Sequence, residues 1–158
     1  MAVVKFRPVE EYKERADRVF ENQKEIILGK LPFAQVEHIG STAIPGSLTK
    51  GDLDVNVRVE KDRFSEAVDA LKQLYDINQP DNWEDDFASF KTDKLEIDFG
   101  VQLTVLHSRS DVFAKKRDAL INNSVLVKKL NEIKRKYNWM SMDEYRKGKA
   151  NFFESILY

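Results

Sequence analysis

From Asp52 to Val59 the chain alternates strictly: Leu53, Val55, Val57 and Val59 fall on one face, and Asp52, Asp54, Asn56 and Arg58 on the other. A period of two predicts a strand with one face in the core. The alternation returns in LEIDFGVQL at 95–103, where Leu95, Ile97, Phe99, Val101 and Leu103 oppose Glu96, Asp98, Gly100 and Gln102. Residues 87–91 precede it across Thr92-Asp93-Lys94, which predicts a hairpin. A first strand is expected over 33–39 and a short one over 75–78. Between these the period lengthens. Val9, Tyr12, Ala16, Val19, Phe20, Gln23, Ile26 and Ile27 predict an opening helix, with Pro8 in its first turn and its end near Gly29-Lys30-Leu31-Pro32. Phe64, Val68, Leu71 and Leu74 predict a helix over 61–75 that packs back on the sheet.

The last third is helical throughout. Ser110 or Asp111 is placed to cap a helix over 112–121, and Asn122-Asn123-Ser124 breaks it. Leu126, Leu130, Ile133 and Tyr137 resume the spacing over 125–137. Ser141 with Glu144 forms a capping box for a final helix, on which Tyr145, Phe152 and Ile156 share a packed face.

The polar face of the 52–59 strand carries the chemistry. Two carboxylates on one side of a strand repel each other unless a cation or a basic group lies between them. Hard carboxylate oxygens suit Mg²⁺ or Mn²⁺, ions that also bridge nucleotide phosphates. Upstream, Gly40-Ser41 lets backbone approach a phosphate and adds a hydroxyl. Pro45, Gly46 and Gly51 keep residues 42–51 from forming a long helix, leaving a loop with one short helical turn. Its Ser41, Thr42, Ser47, Thr49 and Lys50 are ordinary loop residues, and the acid pair beyond them is what turns the loop toward phosphate. Asp98, on the polar face of the later strand, stands next to Asp52 and Asp54 if the two strands are neighbours.

Gly-Ser, a spacer, Asp-x-Asp and a later strand Asp look like the signature of the nucleotidyltransferase superfamily. That likeness implies that Asp52, Asp54 and Asp98 hold divalent cations and align a nucleoside triphosphate for attack by an acceptor hydroxyl. VEHIGSTAIPG at 36–46 resembles more closely the opening motif of the GrpB family, assigned to that superfamily by fold. Lys50 matches the lysine before that family's acidic strand, FAKKRDAL at 113–120 resembles its Phe-Arg-Asp helix, and Tyr145, Lys149, Phe152 and Ile156 resemble its closing helix. Two departures move this chain toward an active transferase. Many GrpB proteins read Lys-Pro-Ile-Ile-Asp where Lys50-Gly51-Asp52-Leu53-Asp54 stands, and many carry His-x-His about where this chain has Asp98-Phe99-Gly100.

The resemblance implies an α+β fold, a nucleotidyltransferase-like mixed β-sheet with helices on one face and a C-terminal helical portion. One domain over 1–158 is expected, with the N-terminal helix and sheet in 1–106 and the helical portion in 107–158. It implies catalytic and metal-holding roles for Asp52, Asp54 and Asp98. Nucleotide contacts are expected from Gly40, Ser41, Thr42, Lys50 and Arg117, with Mg²⁺ or Mn²⁺ as cofactor and a nucleoside triphosphate as substrate. Lys50, or a helical base such as Arg109, Lys116 or Arg117, is expected to offset charge on departing pyrophosphate.

Composition narrows the alternatives. The 158 residues suffice for a real core, and the chain has no cysteine for disulfides or thiolate metal sites. With no long apolar run near the start, the expected location is the cytoplasm, without a membrane. His38 and His107 alone make no zinc site, and His38 divides between a phosphate contact or base and a structural role. Glu84-Asp85-Asp86 is expected to be a solvated loop end. From His107 onward twelve Lys or Arg face six Asp or Glu, whereas residues 1–106 carry fourteen against twenty-one. An acidic part suited to cations thus faces a basic part suited to a polyanion. The near-neutral total disfavours nucleic acid as partner. A nucleotide- or phosphometabolite-binding module without catalysis is the alternative; acceptor and oligomeric state are not legible.

Overall fold

The computed structural model describes residues 5–157, with side chains through Ser155, so the packing expected of Ile156 lies outside the described side chains. In chain order the elements are β1 (Arg7–Pro8), α1 (Lys13–Lys30), β2 (Gln35–Ile39), β3 (Leu48–Thr49), β4 (Leu53–Val59), α2 (Phe64–Leu74), β5 (Asp76–Ile77), β6 (Phe87–Thr92), β7 (Phe99–Val105), α3 (Phe113–Ile121), α4 (Ser124–Tyr137) and α5 (Met142–Leu157). Five strands form a sheet in the order β2-β4-β7-β6-β5, while β1 and β3 pair separately. Only β4 and β7 run parallel within that sheet, which makes it mixed.

The apolar faces read from the alternation are the buried ones. Leu53, Val55, Val57 and Val59 are fully buried, as are Val101 and Leu103, beneath Ala16, Val19 and Ile27 of α1 and Ala67 and Leu71 of α2. Each such aliphatic side chain stabilises the fold by roughly 1.5–3 kcal/mol. α1 and α2 therefore share one face of the sheet.

The opposite face is polar and is overlain by the helical portion. Arg58 donates to both carboxylate oxygens of Asp111 (2.8 and 2.7 Å) and to Glu37 (2.8 Å). Arg117 of α3 donates to the second oxygen of Glu37 at 3.0 Å. This chain of charges clamps α3 over β2 and β4. Asn131 and Lys134 of α4 grip the loop before β4: Asn131 accepts from the Leu48 N–H and donates to the Gly46 carbonyl, each at 2.9 Å, and Lys134 donates to the Leu48 carbonyl. Ile44, Leu120, Leu130, Phe152 and Phe153 close a second apolar cluster beneath these contacts.

Several expectations shift in detail. Pro8 lies in β1, and a 3-10 turn at Val9–Glu11 intervenes before α1 begins at Lys13. Neither Ser110 nor Asp111 caps α3: Ser110 bonds Asp86, and Asp111 is consumed by Arg58, Thr104 and the His107 N–H. Asn123 caps α4 instead, accepting from the Val125 and Leu126 N–H groups. The second hairpin strand starts at Phe99, because β6 extends to Thr92 and pairs it with Phe99, leaving 93–98 as the connection. The capping box holds in its first half, with the Glu144 N–H donating to Ser141 Oγ at 3.3 Å.

Candidate active site

The parallel pairing of β4 with β7 sets Asp54 beside Gly100, and one step earlier the Leu53 N–H donates to the Asp98 carbonyl at 2.8 Å. Gly40 follows β2 with φ 75° and ψ −173°, a conformation essentially reserved for glycine. A Cβ added at Gly40 would stand 2.6 Å from Asp54 Oδ2, and one at Gly100 would stand 3.1 Å from Oδ1. The Asp54 carboxylate is thus slotted between two residues without side chains. Gly40 makes room for the Asp54 carboxylate, a role the sequence did not suggest.

Between the polar sheet face and helices α3, α4 and α5 lies a cavity of about 270 Å³, with Gly40, Ser41, Asp52 and Asp54 on the sheet side. Lys50, Lys116, Arg117, Lys134 and Lys149 line it too. Burial, with the charge of Asp52 second, pushes the Asp54 carboxyl up to about 7, and Lys149 and Lys50 oppose the shift. Asp52 carries a buried Oδ1 with no hydrogen-bond partner, and its nearest cation is Lys50 at 3.9 Å. Across the cavity Lys134 is 2% exposed yet bonded through its ammonium only to the Leu48 carbonyl. Burial, reinforced by the charge of Lys149, pushes it down to about 7. Lys149 stays open to solvent at the cleft mouth, and the protein packed around its ammonium still holds it below the usual lysine range.

Not every predicted contact faces this cavity. Ser41 lines it, but its hydroxyl is shared with Thr49 at 2.7 Å. Thr42 is buried on the far side of its turn, with its hydroxyl bonded to His38 Nε2 at 2.9 Å. Arg117 lines the cavity while spending its donors on Glu37, Asp118 and the His38 carbonyl. Arg109 is exposed elsewhere. Asp98 is exposed and faces a second cavity, of about 650 Å³, which shares Lys50, Asp52, Asp54 and Gln102 with the first. Among the described residues only Glu84, Asp85 and Asp86 form a trio of acids whose ligand oxygens all lie within 4.8 Å of one another. Asp98 therefore does not close such a set with Asp52 and Asp54.

Lys134 was the residue that sequence reasoning passed over. Its signal was present: Asn131 and Lys134 fall in phase with Val127 and Leu130, so two polar residues share the buried side of α4.

His38 serves structure. It stacks on Phe20 at 5.2 Å between ring centroids, and burial pushes its pKa down to about 4 from an ordinary 6.5. Between those values the unfolded chain binds a proton that the folded chain refuses, so this contribution is full above pH 6.5 and is lost as pH falls toward 4. We expect urea unfolding of His38→Gln, compared with wild type at pH 7 and pH 4.5, to show a smaller acid loss by about 2 kcal/mol.

The mixed sheet, with an acid pair beside a glycine-ended strand and basic helices across a cleft, is a nucleotidyltransferase-like fold. The chain belongs to the GrpB family, whose model, described as GrpB protein, matches residues 8–158. It is 30% identical over 154 residues to UPF0157 protein VC_A0354 of Vibrio cholerae serotype O1, covering 98% of this chain and 82% of that one. Among solved structures it resembles conserved protein GrpB from Enterococcus faecalis, with TM-score 0.74, 18% identity, and 90% and 91% of the two chains covered. It also resembles the Cid1 poly(U) polymerase in a Mg 3′-dATP-bound form, with TM-score 0.56 and 11% identity over 81% of this chain and 41% of that one. A cytoplasmic RNA terminal U-transferase matches with TM-score 0.51 and 15% identity, over 82% of this chain and 38% of that one. The last two likenesses concern the fold alone, and this chain spans well under half of those enzymes. Among the described residues no helix is long and apolar enough to cross a membrane.

Proposed function

We propose that the protein transfers a nucleoside monophosphate from a nucleoside triphosphate to an acceptor hydroxyl, with Mg²⁺ or Mn²⁺ held by Asp52 and Asp54. One observation carries this reading. The same cavity is lined by Asp52, whose buried Oδ1 has no hydrogen-bond partner, and by Lys134, whose buried ammonium bonds one carbonyl and has donors to spare. The two are not within ion-pair distance of each other, so neither satisfies the other. A buried polar atom without a partner costs free energy. A cation bound to polyphosphate meets both demands at once.

The residues present suit a hard divalent cation, since Asp52 and Asp54 offer carboxylate oxygens only, and a desolvated carboxylate pair is relieved by positive charge. Such an ion supplies Lewis-acid stabilisation of phosphoryl oxygens. Lys134, Lys116 and Lys149 face the triphosphate and offset charge on the departing pyrophosphate. In the transfer itself the acceptor oxygen bonds to the α-phosphorus as the bond from that phosphorus to pyrophosphate breaks, and Asp98 receives the hydroxyl proton.

Calorimetry with ATP, GTP, CTP and UTP tests the reading. We expect at least one to bind only when Mg²⁺ is present, and Lys134→Met to weaken that binding at least tenfold. No metal-dependent affinity for any of the four sinks it. Lys50, at 3.9 Å from Asp52, favours a second reading in which a lysine partly stands in for the cation and the fold binds nucleotide without transfer. Retained, metal-free nucleotide binding by a variant with alanine at both Asp52 and Asp54 supports that reading instead.

A further inference from the structure

The second cavity has no assigned occupant. It shares the Asp52 and Asp54 pair with the first cavity and extends from there between the β6–β7 connection, β5 and α5. At about 650 Å³ it has the size of a small-molecule site and is the roomier of the two. Its chemistry differs in kind. The first cavity sets five basic side chains against two acids. Beyond the shared wall, the second has the carboxylates of Asp76, Asp93 and Asp98 against Lys91 and Arg146. No ion pair or side-chain hydrogen bond among the described residues engages those three carboxylates. Arg146 leans toward Asp143 at 3.8 Å, outside the cavity lining. The remaining lining is rich in amides and hydroxyls, from Asn78, Gln79, Thr92 and Gln102.

Free carboxylates accept from ammonium groups, and amides and hydroxyls both donate to and accept from alcohols. A nucleic-acid end or an acidic sugar would bring phosphate or carboxylate against three acids. We propose that this cavity receives the acceptor, and that the acceptor is a small polyhydroxylated amine of the amino-sugar class, whose ammonium groups meet Asp76 and Asp93 while one hydroxyl reaches the acid pair at the shared wall. This rests on the transferase reading above, which places the nucleotide in the first cavity, next to the same pair. Asp98, the remaining carboxylate of the second cavity, is the group placed to take the hydroxyl proton.

The test is a ¹H–¹⁵N NMR titration of the full chain with four probes: the trimer of glucosamine, its N-acetylated form, the trimer of galacturonic acid and a hexanucleotide. We expect the glucosamine trimer to bind at least tenfold more tightly than the other three and to shift the amide signals of Asn78, Thr92 and Gly100. The exposed pair D76N/D93N should weaken it at least fivefold, and K129M, at an exposed position of α4 that lines neither cavity, should leave it unchanged. Equal or tighter binding of the N-acetylated or acidic trimer, a hexanucleotide seated at those amides, or unaltered affinity in D76N/D93N overturns the proposal. Calorimetry with Mg²⁺ and nucleotide on the same samples separates the two readings. Lost nucleotide binding with retained glucosamine-trimer binding overturns the transferase reading, whereas the reverse overturns only the assignment of the acceptor.

Discussion

Replacing Asp54 by asparagine is expected to lower metal-dependent nucleotide transfer on the order of 10³-fold, the scale of losing a principal electrostatic stabiliser of a transition state. The same change is expected to leave the metal-free protein as stable as wild type or more so at pH 8. The two results follow from one environment. Burial and the neighbouring Asp52 hold the Asp54 carboxyl near 7 where 3.8 is ordinary, so the folded chain keeps a proton that the unfolded chain has already released. That contribution is complete below pH 3.8 and disappears as pH rises through about 7. At pH 8 wild type therefore carries an ionised, poorly solvated carboxylate, and the amide removes that penalty, ~2 kcal/mol after allowing for the open cavity beside it. Thermal unfolding with and without Mn²⁺ checks the argument. Wild type should gain stability from the metal, more at pH 8 than at pH 5, and Asp54→Asn should gain none. A variant that is less stable than wild type at pH 8, yet still stabilised by Mn²⁺, contradicts the assignment.

Gly40→Ala is expected to destabilise the fold by about 3 kcal/mol, combining backbone strain with a steric clash. The residue sits at φ 75°, and its new methyl would lie 2.6 Å from Asp54 Oδ2. The carboxylate has little room to retreat, because a Cβ at Gly100, on its other side, would already be 3.1 Å from Oδ1. Gly46→Ala is the control for a positive φ without a clash. Its φ is 78°, and nothing lies within 4 Å of the added carbon. We expect the loss in urea unfolding to be larger for Gly40→Ala than for Gly46→Ala, and Gly40→Ala alone to abolish metal-induced stabilisation. Equal losses in the two would mean that the carboxylate is free to move, and that Gly40 does not position the acid pair.

The acid pair was legible in the chain because strand alternation depends on backbone geometry that each residue carries with it. Leu53, Val55, Val57 and Val59 had to be buried together, which obliged Asp52 and Asp54 to share the other face. Gly40-Ser41 was legible as a bend at the end of β2 for the same local reason. Asp98 was only half legible. Its residue type suited a ligand, but where β7 begins depends on how far β6 extends, and pairing of Thr92 with Phe99 leaves Asp98 outside the strand, facing the second cavity. The hydrogen bonds of Thr42 and Arg117 go to His38 and Glu37, partners supplied by a strand that local reasoning cannot place beside them.

Periodicity by itself determined not the small β1–β3 pair but the strands of the five-stranded sheet in outline, most of the helices and the common face of Asp52 and Asp54. These depend on side chains two to four residues apart, whose relative positions are set by φ and ψ alone. Tertiary structure decided which charges meet. Lys134 is eighty-two residues from Asp52 in the chain, and only the docking of α4 on the loop before β4 brings a buried ammonium to the cavity that holds an unpartnered carboxylate oxygen. No local pattern encodes such a meeting, because burial and desolvation are properties of the assembled fold and not of the residues taken singly.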